Sequence, residues 1–156
     1  MAIAMSLRDY LDELGISYDV VTHETTGSSM ETAQAAHVPG DKLVKSVLLK
    51  DDQEYLLAVV PSTCHVQLSD LASRFDRHLE LVPEAELASI FTDCETGAIP
   101  PVGQAYAIEM VIDNRLLDCE DLYIEAGDHQ SLVHLQHDDF VRLVQNSPHA
   151  DFTRHV

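Results

Sequence analysis

Hydrophobic residues at the start of the chain are spaced for one face of a helix. They fall at i, i+3, i+4 and i+7, the pattern of an amphipathic helix with one buried stripe. These positions are Leu7, Tyr10, Leu11 and Leu14. Ser6 is a candidate N-cap, and Gly15 is the residue type that commonly ends a helix. The pattern therefore predicts an opening helix that ends at Gly15.

The rest of the chain alternates between strand-like and helical stretches without strict alternation of the two. Further helices are predicted at 28–37, with a capping box at its start, and at 69–75, 83–91 and 138–144. Strands are predicted at 18–22, 44–49, 55–60, 79–82, 105–112, 122–126 and 132–136, with 44–49 and 55–60 forming a hairpin. The polar tail after Gln145 is expected to be loose. This mixture predicts a single α+β domain, residues 1–156, around one mixed sheet.

The charge of the chain limits its partners. The 156 residues carry 27 acidic and 9 basic side chains, a formal net charge of −18. Such a surface argues against DNA and against broad nucleic-acid binding, which depends on many phosphate contacts. It leaves open a protein that grips only the tip of a nucleic acid. No apolar run has the ~20 residues of a membrane span, and no signal peptide is evident, so we expect a cytoplasmic protein without a membrane partner.

One lysine lies inside an apolar run. Lys45 is flanked by Val44 and, after Ser46, by Val47 and Leu48. A strand lysine often extends its ammonium to solvent while its stem packs. The chain has only three lysines, Lys42, Lys45 and Lys50, and Lys50 is available as an ordinary surface residue at the end of the strand. Lys45 is therefore a candidate for contact with a polar ligand.

A glycine- and proline-framed loop follows further along the chain. Its sequence is Gly97-Ala98-Ile99-Pro100-Pro101-Val102-Gly103. Two prolines stiffen the backbone and two glycines allow sharp bends, so the loop can equally be a rigid turn before a strand. Its functional interpretation is a wall of fixed backbone N–H and C=O groups that can bind an ester or a carboxylate and stabilise developing negative charge.

Other chemistries lack support in the sequence. His129, His134 and His137 are close together, but strand alternation separates their faces and no metal-ligand spacing occurs, so no metal site is predicted. His129, at a turn, remains a candidate for a hydrogen bond in a pocket. No nucleophile motif of the GxSxG or GxxxxGK[ST] type is present, and no cofactor is predicted.

An ordered set of segments resembles a known family. The segments are His23-Glu24-Thr25-Thr26, Ser28 to Ala36, Lys45-Ser46-Val47-Leu48-Leu49-Lys50, the Gly97–Gly103 loop and Ala126-Gly127-Asp128-His129. Together, over about Leu7 to Val144, they resemble the YbaK-like family. That family comprises free-standing trans-editing aminoacyl-tRNA deacylases and the editing domain inserted in bacterial prolyl-tRNA synthetase.

The resemblance implies a fold, an activity and a set of site residues. It implies an α+β fold with a central mixed, barrel-like sheet flanked by helices, and hydrolysis of the ester between a wrong amino acid and the 3′ end of a tRNA. It implies catalytic roles for Lys45, Gly97, Ala98, Ile99 and Pro100. It implies substrate binding by His23, Met30, Ser46, Pro101, Gly103 and His129. The implied partners are the tRNA acceptor end and an aminoacyl-tRNA synthetase or elongation factor that delivers it.

Three functions stay open at this point. The first is the trans-editing deacylase. The second is a binding module of the same fold without catalysis. The third is an enzyme that forms a Schiff base between Lys45 and a carbonyl substrate.

Overall fold

The computed structural model describes residues 4–24, 29–95 and 98–155. The helices are α1 (Met5–Leu14), α2 (Ser29–Ala35), α3 (Leu68–Phe75), α4 (Glu84–Ile90), α5 (Asn114–Leu117) and α6 (His137–Leu143), with 3₁₀ turns at Gly40–Lys42 and Gly103–Tyr106. The strands are β1 (Asp19–Thr22), β2 (Leu43–Lys50), β3 (Tyr55–Pro61), β4 (Cys64–Val66), β5 (Glu80–Leu81), β6 (Glu109–Asp113), β7 (Asp121–Glu125), β8 (Ser131–Gln136), β9 (His149–Ala150) and β10 (Thr153–His155).

The expected α+β fold with a mixed sheet is confirmed. The main sheet has eight strands in the order β1-β8-β7-β2-β3-β6-β9, with β5 paired to β2. The predicted β2–β3 hairpin is antiparallel, whereas β7 lies parallel to β2 and β6 lies parallel to β3. β4 and β10 form a separate antiparallel pair. Within the described residues, no helix is long and apolar enough to cross a membrane.

The central strands are buried on both faces. Val44 and Leu48 of β2 point into the main core, which also holds Leu7 and Leu11 of α1. Leu49, on the opposite face, packs into a second cluster. A third cluster joins Leu43 to α2. The near-continuous apolar runs of β2 and β3 follow from this double burial.

The start of α1 differs from the prediction. Ser6 lies inside the first turn, and the N-cap residue, Ala4, makes no side-chain cap. The Asp93 carboxylate instead accepts a hydrogen bond from the Ser6 N–H at 2.9 Å, a cap supplied from a distant part of the chain. The predicted end is confirmed, because Gly15 adopts the left-handed conformation with φ of 68°.

The predicted strand 105–112 is wrong in its first half. Gly103–Tyr106 forms a 3₁₀ turn, Ala107 has a positive φ of 58°, and strand β6 begins only at Glu109. The Ile108 N–H donates to the Gly103 carbonyl at 2.8 Å, which closes the turn and reverses the chain before the strand. The short elements β4, α5, β9 and β10 were not predicted from the sequence at all.

The segment after Gln145 is ordered, contrary to the expectation of a loose tail. β9 adds a parallel strand to β6, and β10 pairs with β4. Ala150 and Phe152 are each 1% exposed in the second core cluster. These two apolar side chains anchor the otherwise polar segment, because both pack between the sheet and α3.

Replacing Phe152 with alanine tests this anchor. We expect Phe152→Ala to lower the free energy of unfolding by about 3–5 kcal/mol, the usual cost of emptying a buried aromatic site. Urea denaturation measures it. Arg154→Ala, an exposed position on the same tail, should change it by less than about 0.5 kcal/mol. Equal small effects from both variants would contradict the anchoring role.

Candidate functional site

The edge of β2 has an opening in its middle. β7 pairs only with Leu43 and Val44, and β5 pairs only with Leu49 and Lys50. The stretch from Lys45 to Leu48 therefore has no strand beside it on that edge, although β3 pairs with all of it on the other edge. The Leu48 carbonyl accepts from the Val82 N–H at 3.2 Å on the open edge. By strand alternation, the backbone N–H and C=O of Ser46 face the same edge.

Lys45 and Ser46 occupy this opening on opposite faces of the sheet. Lys45 shares the face of Leu43, which packs against α2, and Ser46 shares the face of Val44 and the main core. Lys45 is half-buried, and its ammonium donates to the Cys64 carbonyl at 3.1 Å. Burial lowers the pKa of the Lys45 ammonium.

The turn after β7 borders the opening and is held by its own side chains. One oxygen of Asp128 accepts hydrogen bonds from the N–H groups of Gln130 and Ser131, at 3.0 and 2.8 Å. Its other oxygen accepts from the Ser131 hydroxyl at 3.1 Å. Gly127 and His129 both have positive φ, 104° and 59°. An aspartate that accepts hydrogen bonds from its own turn in this way fixes the backbone of the turn. His129, within this turn, is buried, at 8% exposure.

This turn holds two further segments beside it. The Gly127 carbonyl accepts from the Glu95 N–H at 2.7 Å, which brings the segment before Ala98 to the end of β7. The Gln130 carbonyl accepts from the His23 N–H at 2.8 Å. These two bonds bring His23 and the segment before Ala98 to the turn that holds His129, where β7 ends. Lys45 and Ser46 follow the two residues of β2 that pair with β7.

The loop 98–103 uses most of its own backbone donors internally. The Ala98 N–H donates to the Glu95 carbonyl, the Val102 N–H to the Pro100 carbonyl, and the Gly103 N–H to the Met110 sulfur, at 3.1, 2.9 and 3.1 Å. Pro100 and Pro101 are buried and have no N–H to offer. Within the described part of the loop, the Ile99 N–H is the one donor left without a hydrogen bond.

The structure does not join Lys45 directly to this loop. The side chains of Ile99 and Val102 pack in the main core, on the sheet face opposite Lys45. No hydrogen bond links the Lys45 ammonium to residues 98–103. Gly97 and the side chain of Met30 lie outside the described residues, so the expectations for them remain predictions.

Gly103 has a structural reason to be glycine. A Cβ at this position would come within 2.4 Å of the Ile108 carbonyl oxygen and 2.6 Å of the Met110 side chain. Backbone this close cannot move aside, so any larger residue would displace the 3₁₀ turn. Packing alone therefore accounts for glycine at position 103, and the expected role of Gly103 in substrate binding remains a prediction.

Buried polar atoms without partners concentrate at the opening. The His23 Nε2, the Ser46 hydroxyl and both carboxyl oxygens of Glu125 lack a hydrogen-bond partner. Buried polar groups are nearly always satisfied in folded proteins, and exceptions require a reason. Two of these three residues, His23 and Ser46, were predicted as substrate-binding residues from the sequence.

Glu125 is the residue that the sequence analysis missed. Continuing the register of Leu43 opposite Tyr123 and Val44 opposite Ile124 places Glu125 opposite Lys45, on the same face. Glu125 is 2% exposed. Burial, reinforced by the negative charge of Asp128, raises its pKa to about 8, and the buried Thr32 hydroxyl offsets only part of this effect. A glutamate at the end of a strand is usually a surface residue, so the sequence pattern did not indicate that Glu125 is buried.

The other histidines serve the fold. His134 bonds to Asp121 at 2.7 Å and stacks on Tyr123, with ring centroids 4.3 Å apart. His137 bonds to the Cys119 carbonyl at 3.0 Å. A surface depression of about 430 Å³ lies elsewhere, lined by residues 104, 107–110 and 146–148, and contains none of the predicted site residues.

Comparison with known families identifies this arrangement. The family model for the aminoacyl-tRNA editing domain matches residues 23–143. The chain belongs to this family, the YbaK-like editing domains. The match begins at His23 and includes β2, the loop 98–103 and the turn after β7, so every part of the opening lies within the YbaK-like domain.

Known relatives agree with the family. The proline–tRNA ligase of Geobacillus sp. (strain WCH70) is 22% identical over an alignment of 121 residues, and the match covers 68% of this chain and 21% of the ligase. The chain thus spans about a fifth of the length of that curated relative.

Solved structures share the fold over the whole chain. One is described as a candidate trans-editing enzyme for prolyl tRNA synthetase. It has a TM-score of 0.85 at 20% identity, and the match covers 99% of this chain and 98% of that one. The hypothetical protein APE2540 gives a TM-score of 0.85 at 18% identity, covering 96% and 99%.

The buried Glu125 predicts an unusual dependence of stability on pH. Its pKa is about 8 in the folded protein, against 4.5 as the ordinary value, so the neutral acid favours folding. That contribution is complete below about pH 4.5 and is lost as the pH rises through 8. Glu125→Gln removes the ionisable group. We therefore expect the free energy of unfolding of this variant to exceed that of wild type by about 1–3 kcal/mol near pH 8.5, with little difference at pH 5.

Urea unfolding of both proteins from pH 5 to 9 measures this difference. Glu109→Gln, the same change at an exposed strand position, is the matched control and should show no such trend. A Glu125→Gln difference that is constant with pH would mean that Glu125 ionises normally in the folded protein.

Proposed function

We propose that this chain is a trans-editing hydrolase that cleaves the ester between a wrong amino acid and the 3′-terminal adenosine of a tRNA. Residues 1–156 then act as one editing domain, in the cytoplasm. Membership of the editing-domain family supports the substrate class. The likeness to a candidate trans-editing enzyme supports action by a separate chain.

One observation carries the proposal: the described polar side chains left unsatisfied in the interior are gathered around the opening in β2. Ser46 lies on β2, Glu125 is the last residue of β7, and His23 follows β1. A fold that needed these groups only for packing would satisfy them internally or replace them with apolar residues. Their missing partners fit a polar ligand.

The proposed chemistry needs no nucleophile from the protein. Water attacks the ester carbonyl carbon, the bond to the ribose oxygen breaks, and a proton passes to that oxygen, giving free amino acid and tRNA. The Ile99 N–H is the donor that the loop has left for the developing oxyanion. Lys45 engages the adenosine end, and its ammonium exchanges the Cys64 carbonyl for the substrate.

Accurate translation needs such a reaction because small amino acids differ too little for one pocket. A methyl group or a hydroxyl is worth only about 1–3 kcal/mol in a binding site. A second site that hydrolyses the wrong ester supplies the missing discrimination. A synthetase or an elongation factor is the proposed source of the mischarged tRNA, since a chain with net charge −18 has weak attraction of its own for a polyanion.

Deacylation of a panel of mischarged tRNAs by the pure protein is the direct test. We expect release of the amino acid from at least one mischarged tRNA and no release from correctly charged ones. Binding without release from any of them would instead indicate a binding module. Trapping of a Lys45 adduct by borohydride would indicate the Schiff-base alternative, which the lowered pKa of Lys45 also permits.

Lys45 is the first residue to change. Lys45→Ala should reduce kcat/KM by about 10²–10³-fold, the usual cost of losing one preorganised charged donor. It should change the free energy of unfolding by no more than about 1 kcal/mol, because only one hydrogen bond is lost.

Lys50→Ala is the matched control for this change. Lys50 lies on the same strand and forms a surface ion pair with Glu86 at 3.0 Å. Its loss should leave deacylation unchanged and cost little stability. A large fall in the melting temperature of Lys45→Ala would mark Lys45 as a structural residue, and unchanged activity would remove it from the site.

The proposed grip on the acceptor end predicts a weak salt dependence. Each phosphate contact adds about −0.7 to −0.9 to the logarithmic slope of affinity against salt, and a protein that holds only the tip makes few of them. We expect a slope of roughly −1 to −3 for kcat/KM across a salt series with one mischarged tRNA. A much steeper fall would reveal a basic docking face and would contradict recognition of the tip alone.

A further inference from the structure

Glu125 is a buried acid whose oxygens the turn does not use. Asp128, its neighbour in sequence, is committed to the turn, where its two oxygens accept three hydrogen bonds. Glu125 is 2% exposed, and neither of its oxygens accepts a hydrogen bond of ordinary geometry. The Thr32 hydroxyl is a looser hydrogen-bond partner and offsets only part of the cost of burial.

A cation of β2 could pair with Glu125 but does not. Continuing the register of β2 and β7 by one residue places Lys45 opposite Glu125. The Lys45 ammonium donates to the Cys64 carbonyl instead, so the ion pair that the register would allow is not formed. Two carboxyl groups, Glu125 and Asp128, therefore lie at this end of the opening.

We propose that Glu125 binds the α-ammonium group of the aminoacyl ester and makes the site selective for a substrate with a free amino group. This inference rests on the proposed function and adds to it the recognition of one substrate group. An ammonium supplies three donors in one position, and a desolvated carboxylate is its strongest partner among the neutral and charged groups of a protein.

Binding of an ammonium also moves a proton. The neutral acid that predominates before binding, with its pKa of about 8, becomes a carboxylate beside the ammonium. One proton therefore leaves for the solvent when the ligand enters with its amino group charged. A ligand of the same shape without the amino group releases none. Proton release is thus a signature that a purely structural Glu125 does not produce.

Two matched probes test the inference without hydrolysis. The first is 3′-deoxy-3′-(L-alanylamino)adenosine, in which an amide replaces the ester, and the second is the 3′-propionylamino analogue, which lacks only the amino group. Isothermal titration at pH 7 in phosphate and in Tris gives the affinity and the number of protons released. We expect wild type to bind the alanyl probe about tenfold or more tightly, as a charged hydrogen bond implies, with release of about one proton.

Glu125→Gln keeps the shape of the neutral acid and removes its charge. It should bind both probes with similar affinity and release no proton, while Glu109→Gln should behave as wild type. Because the preference and the proton count are measured on wild type first, the test stands even if the variant folds poorly.

The outcomes separate this inference from the proposed function. Equal binding of the two probes by wild type, or a preference that survives Glu125→Gln, overturns the role of Glu125 and leaves the deacylase proposal intact. Binding of neither probe by wild type overturns both, because the opening is then not a site for aminoacyl-adenosine.

Discussion

The mismatch in strand length beside β2 is the constraint on which the site depends. β2 extends from Leu43 to Lys50, but β7 covers only its first two residues and β5 only its last two. A central strand normally has neighbours on both edges, because unpaired backbone groups in the interior cost free energy. Here the middle of the strand, which carries Lys45 and Ser46, is left open. The Ser46 hydroxyl has no hydrogen-bond partner there, whereas the Lys45 ammonium donates to the Cys64 carbonyl.

Rigidity around the opening comes from hydrogen bonds within the protein. Asp128 closes the turn after β7, and that turn fixes Glu95 and His23 through backbone bonds. On the far side of the loop, Tyr106 and Cys94 bond to Asp93, whose carboxylate also caps α1. Burial opposes ionisation of Asp93, but these bonds hold the pKa of its carboxyl group at about 2, so the Asp93 carboxylate stays charged. A site built in this way reaches its geometry before substrate arrives.

The opening carries a cost in stability that the proposed function would explain. A buried acid without hydrogen bonds and a half-buried lysine are each less favourable than an apolar residue of the same size. Local rules of folding are commonly broken at functional sites and obeyed elsewhere. In this chain the two exceptions are opposite one another in the register of β2 and β7, at the same point of the sheet. Elsewhere the central strands follow the expected burial.

The sequence by itself determined the α+β class, the amphipathic α1, the β2–β3 hairpin and the candidacy of Lys45. These depend on local periodicity, on turn residues and on one charge in an apolar run, all of which are visible along the chain. Tertiary structure decided the cap of α1 by Asp93, the ordered tail at Phe152 and the burial of Glu125. Each of these depends on a partner far away in sequence, and short strands such as β9 exist only because a neighbour is already in place. A glutamate is polar in every sequence pattern, and only the packing of α2 and the turn after β7 around it made it a buried acid.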